Sequence, residues 1–140
     1  LMFSGCGKLA NLDISNFNTL KVTNMASMFY GCTDLTNLDL SSFDTSNVTN
    51  MDSMFLNCKS LINLDLSNFN TSKVTVVTNM FRSCSKLISL DIRNFDFSNV
   101  TSYSNMFYGI STTTIYVKDS TAKEWLVSKF SNLSSNIVIS

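Results

Sequence analysis

The sequence contains no histidine and no proline, only four glycines, and charged residues at just 14 % of positions. Without histidine, the usual neutral-pH acid/base is missing, along with Ser/His and Cys/His nucleophile pairs and His-containing zinc sites. Four scattered glycines do not build a Gly-rich phosphate loop. Ten Lys plus Arg balance ten Asp plus Glu, so no basic excess is available to neutralise a phosphate backbone, and nucleic acid is not an expected partner. Uninterrupted apolar runs last only a few residues, far short of a bilayer crossing, so no membrane span is expected. No catalytic constellation, cofactor or bound metal is expected either, and the chain reads as a non-enzyme. Its 140 residues amount to about one domain.

What the sequence does have is a repeat. Cys6, Cys32, Cys58 and Cys84 recur at an offset of 26 residues. The same step links Leu9, Leu35, Leu61 and Leu87, then Asp13, Asp39, Asp65 and Asp91, then Phe29, Phe55, Phe81 and Phe107. No insertion interrupts it. The array therefore spans residues 1–110, with units at 6–31, 32–57, 58–83 and 84–109 and residues 1–5 as the end of an upstream unit. A distinct segment, 111–140, follows. Because the chain starts inside a unit, it is expected to be the C-terminal portion of something longer.

Within a unit, Leu38 and Leu40 alternate with Asn37, Asp39 and Ser41, the period of a short strand with one buried face. Met51, Met54, Phe55 and Cys58 fall at i, i+3, i+4 and i+7, the apolar stripe of a short helix, with Ser46, Asn47 or Thr49 placed to cap it. One such unit cannot bury its apolar side alone, but units stacked in register share a continuous core. Packed helices need about twice the spacing of hydrogen-bonded strands. The expected fold is thus an α/β repeat solenoid, its parallel sheet on the concave face and its short helices on the convex side.

The segment LTNLDLSSFDTSNVTNMDSMFLNC, Leu35 to Cys58, and its three copies closely resemble the 26-residue repeat of bacterial surface proteins. This is the BspA-like branch of leucine-rich repeats, also seen in mycoplasma-type lipoproteins and some protist surface proteins. Two units depart from it, with Val76 and Val77, then Ser102 and Tyr103, where the first two units have Asn and Met; Ile110 stands where a fifth Cys would fall. The resemblance implies a leucine-rich-repeat solenoid in a surface-exposed or secreted protein that acts by adhesion or recognition. In the tail, Ile115 and Val117 alternate as a strand, and Ala122, Trp125, Leu126 and Phe130 mark a helix face with Thr121 and Glu124 spaced as a capping box. Ile137 to Ile139 read as a last strand, so 111–140 is expected to be a β-α-β cap over the open end of the array.

Candidate ligand-binding residues are those turned outward on the expected concave sheet: Asn11, Asp13, Asn37, Asp39, Ser41, Asn63, Asp65, Ser67, Ser89, Asp91 and Arg93. The four aspartates form a ladder. Either a cation such as calcium relieves their repulsion, or each accepts hydrogen bonds from nearby backbone and Ser groups as in Asx turns. One Cys per unit is not zinc-site spacing, so the four are expected to be buried free thiols, with pairing of Cys6 to Cys32 and Cys58 to Cys84 as the alternative. Phe3-Ser4-Gly5-Cys6 has the form of a lipidation box, but Phe29-Tyr30-Gly31-Cys32 repeats it in mid-chain. The rows Thr19, Thr45, Thr71 and Thr23, Thr49, Thr75, Thr101 read as turn and cap residues or as a hydroxyl array, and Phe97 interrupts the first. The expected partner is a protein or glycan at a cell surface. The alternative function is a spacer, or an element that self-associates end to end.

Overall fold

The computed structural model describes residues 1–140. A four-stranded parallel sheet runs in the order β1 (Asn63–Asp65), β2 (Ser89–Asp91), β3 (Thr114–Val117), β4 (Ile137–Ile139). One helix, α1 (Ser120–Lys129), connects β3 to a 3-10 turn at Ser131–Leu133 and so to β4. The molecule is therefore a small α/β fold with a parallel sheet and a single helix, and that helix lies in the tail.

The short helices expected in every unit do not form. Positive φ angles recur at Ser27, Ser53, Asn79 and Asn105 and again at Gly31, Asn57, Ser83 and Gly109. This backbone region is incompatible with a right-handed helix. The N–H groups of the segment alternate in their destinations. Met54 and Leu56 donate back within their own unit, to the carbonyls of Met51 and Ser53. Met51, Ser53, Phe55 and Asn57 donate forward, to the carbonyls of Val76, Thr78, Met80 and Arg82 at 2.8 to 3.0 Å. The same four-rung ladder joins Met25, Ser27, Phe29 and Gly31 to the second unit, and Val77, Asn79, Phe81 and Ser83 to the fourth. Both sides of a unit thus hydrogen-bond to the next unit, and the geometric reason for a wide helical side and a concave sheet disappears.

The core is one cluster of 36 buried apolar residues. Phe3, Phe29, Phe55, Phe81 and Phe107 stack in a column with successive ring centroids 5.6 to 5.8 Å apart. The tail closes this column: Phe130 meets Phe107 edge-on at 5.1 Å, and Trp125 stacks on Phe97 at 4.5 Å. Phe97, left open by the sequence as either an exposed anchor or a packing residue, is the seat of the tail helix. The cap of α1 is Asp119, whose side chain accepts from the Ala122 N–H at 3.0 Å, in place of the expected Thr121 and Glu124 box.

The first threonine row lies inside. Thr45 is buried, its Oγ1 donating to the Asn70 carbonyl at 3.0 Å and accepting from the Asn70 N–H at 2.8 Å. Thr19 clamps Asp44 in the same two-way manner, and Thr71 clamps Asp96. The hydroxyls of the second row, Thr49, Thr75 and Thr101, also donate to the preceding unit, to carbonyls that already accept a backbone N–H. These rows serve joints between units.

On the strand side, pairing tightens along the chain. Thr36 N–H reaches Ala10 O at 3.5 Å and Ile62 N–H reaches Thr36 O at 3.4 Å, whereas Ile88 N–H reaches Ile62 O at 2.8 Å. Regular strands accordingly begin only at Asn63, and Asn37 to Asp39 keep the expected alternation of burial without a ladder.

Candidate binding face

In β1 and β2 the side chains of Leu64 and Leu90 enter the core, so Asn63, Asp65, Ser89 and Asp91 turn to the opposite face. The register sets Asp91 between Asp65 and Tyr116, with Val138 beyond. Register with β3 is offset by 25 residues, not 26. A slip of one residue exchanges the faces of a strand, so Tyr116, and not Val117, stands beside Asp91 on the open face while Ile115 and Val117 are buried.

Asp65, Asp91, Arg93 and Tyr116, with Asn63, Ser89, Leu64 and Ser140, line a shallow polar depression of about 300 Å³. The Arg93 guanidinium is half-exposed and donates to both Asp91 carboxylate oxygens at 2.6 to 3.0 Å, while its own N–H adds a fourth bond at 3.1 Å. Hydrogen bonding with Asp91 raises the guanidinium's pKa further. Asp65 accepts from the Ser67 N–H at 2.9 Å. Hydrogen bonds from the Ser67 side chain and then its backbone hold the Asp65 pKa below the ordinary carboxylate value. The depression therefore presents two fixed carboxylates, one oriented cation, amide and hydroxyl groups, and one phenol ring.

The remaining candidates lie outside this depression. Asn11, Asp13, Asn37, Asp39 and Ser41 are exposed, and Ser67 is partly buried. The aspartate ladder resolves its repulsion by Asx turns: Asp13 accepts from Ser15 Oγ at 2.7 Å and Ser15 N–H at 3.0 Å, and Asp39 from Ser41 N–H at 2.9 Å. These bonds lower both pKa values, outweighing at Asp39 the smaller opposing influence of Asp13. No group of three or more Cys, Asp or Glu side chains is placed to hold a metal ion, and no helix is long and apolar enough to cross a membrane. Tyr116 and Ser140 belong to the depression and were not among the sequence candidates; the buried alternation of Ile115 and Val117 was the signal that turns Tyr116 outward.

All four cysteines are free. Cys32, Cys58 and Cys84 are buried, each thiol donating to the carbonyl of the phenylalanine 29 residues earlier, Phe3, Phe29 and Phe55, at 3.1 to 3.2 Å. Burial pushes the Cys84 pKa up to about 12 and raises those of Cys32 and Cys58 as well. Cys6 departs from the expectation of burial: it is exposed.

No curated protein and no solved structure matches the chain. Residues 1–119, which include the four units and β3 but stop short of α1, match the model of a family described as "Mycoplasma protein of unknown function, DUF285". The chain belongs to that family.

Proposed function

We propose that this protein is a non-enzymatic recognition module, a leucine-rich-repeat type solenoid displayed at a cell surface or secreted, whose open sheet face binds a protein or glycan. The solenoid reading is supported by unit-to-unit hydrogen bonding on both sides of each repeat. Surface display and adhesion rest on the resemblance of the 26-residue repeat to BspA-like proteins. The observation that carries the functional reading is the depression at Asp65, Asp91, Arg93 and Tyr116. Here ionised side chains are fixed by hydrogen bonds and yet remain open beside the Tyr116 ring, whereas the buried threonine row is spent on joints between units. Carboxylate, guanidinium and phenol groups so arranged suit hydroxyl-rich or polar protein ligands, with the ring supplying a stacking surface.

The test is binding of the purified protein to arrays of matrix proteins and glycans, with and without calcium. It is run beside a variant carrying Asn at Asp13, Asp39, Asp65 and Asp91, and beside Tyr116→Ala. A specific signal that both folded variants lose supports the reading. A signal that both retain moves the ligand off this face, and no signal from any surface favours a spacer or end-to-end assembly role.

A further inference from the structure

In the first three units the forward ladder is complete, and every carbonyl on its receiving side from Ala26 onward is occupied. Ala26, Met28 and Tyr30 accept from residues 1, 3 and 5, and the rows that begin at Asn50, Val76 and Ser102 accept from the unit before. The fourth unit has the same donors at Tyr103, Asn105, Phe107 and Gly109, including the positive φ of Asn105 and Gly109. None of these four N–H groups has a partner in the protein. After Ile110 the chain crosses to the strand side to form β3, so nothing continues the ladder on this side.

These same four residues line a groove of about 570 Å³, whose opposite wall is Lys129, Phe130, Asn132 and Leu133 of the tail. Phe107 is buried, Tyr103 partly so, and Asn105 and Gly109 are exposed; a row of aligned N–H groups without acceptors is the kind of open edge on which another chain pairs. No acidic side chain lines the groove. Two cations flank it, Arg82 over the Tyr108 ring at 5.3 Å and Lys129 over the Tyr103 ring at 5.6 Å.

We propose that this groove is a second binding site, which takes a neutral or acidic polypeptide segment of a partner protein through its main chain, alternate carbonyls accepting from Tyr103, Asn105, Phe107 and Gly109. The mode is the backbone capture of strand addition, applied to a turn ladder. The occupant's form is displayed three times in the molecule itself, where a neighbouring segment covers the identical row of donors. A folded second copy is a poorer occupant: its carbonyls from Ala26 to Tyr108 in this row are already taken, and only those of Met2 and Ser4 have no donor, two acceptors against four N–H groups.

The probe is a synthetic peptide of residues 49–57 with blocked ends, since this stretch carries the carbonyls of Asn50, Asp52, Met54 and Leu56. Amide hydrogen exchange is followed residue by residue by NMR in the full chain. Tyr103, Asn105, Phe107 and Gly109 are expected to exchange freely without peptide and at least tenfold more slowly at saturation, with Met51, Ser53, Phe55 and Asn57 unchanged. Three results overturn the proposal: no protection with peptide in large excess, protection of the four amides already present in the dilute free protein, or protection that rises with protein concentration alone.

Discussion

Thr45 offers a direct measure of what one joint between units contributes. Its hydroxyl makes two hydrogen bonds to Asn70, at 3.0 and 2.8 Å, from a position that is 1 % exposed. Thr45→Val keeps the shape and leaves the Asn70 N–H and carbonyl facing a methyl group. Each intramolecular hydrogen bond contributes about 1 kcal/mol net, and a donor left buried without a partner adds a desolvation cost of similar size, so the loss is about 2–3 kcal/mol. In the same unit, Thr49 Oγ1 is 3.2 Å from Thr23 O, a carbonyl that already accepts the Thr49 N–H at 2.8 Å. Its side chain is exposed, and Thr49→Val is expected to cost about 0.5 kcal/mol or less. Thr45→Ser, which keeps the hydroxyl, should fall between. Urea melts followed by circular dichroism give the three values. If Thr45→Val and Thr49→Val differ by under about 0.5 kcal/mol, the two-way clamp does not carry the joint.

Four further outcomes follow from the packing and the ionisable groups. Phe55→Ala removes the central ring of the aromatic column and is expected to cost about 3–5 kcal/mol in the same melts. Phe97→Thr restores the residue type of the threonine row but removes the ring stacked on Trp125 at 4.5 Å; a red shift of the single tryptophan's emission and a lowered unfolding midpoint are expected, and an unchanged spectrum would sink the docking role. One thiol, Cys6, should react with a thiol reagent in the native protein, and all four after denaturation. The raised pKa values of Cys32, Cys58 and Cys84 mean that the unfolded chain loses these protons first as pH rises, so their contribution is present below an ordinary thiol value near 9.0 and lost as pH rises through the folded-state values, about 12 for Cys84. The lowered values of Asp13, Asp39, Asp44, Asp65 and Asp96 act at the other end: their contribution is present above about 3.8 and lost as pH falls through the folded-state values. Melts across pH show both flanks.

The repeat period was fully legible, because buried Leu, Phe, Met and Cys positions recur without a single insertion. The apolar spacing of Met51, Met54, Phe55 and Cys58 was misleading, since a helix and a turn ladder both bury the same stripe. Side-chain periodicity reports which face is buried, not where the N–H groups go. The clue lay in the glycines: Gly31 and Gly109 occupy the position of Asn57 and Ser83, and all four have positive φ. In the candidate site, Asn63, Asp65, Ser89, Asp91 and Arg93 were readable from outward alternation. Tyr116 was not found by the repeat, because the tail pairs with β2 at a 25-residue offset, which self-comparison at 26 does not reveal.

The hydrogen bonds that join one unit to the next also decide how the chain answers to force. They run between units instead of within them, so tension applied through the two ends of the array loads the rungs of one joint in sequence, as in opening a zipper. The strand side is loosest at the first two joints, where the strand N–H contacts are 3.5 and 3.4 Å long, and extension would start there. Each released unit pays out about 90 Å of contour from its 26 residues. A protein of this design would lengthen in even increments from one end while the tail, pinned by Phe97, Trp125 and Phe130, held to the last.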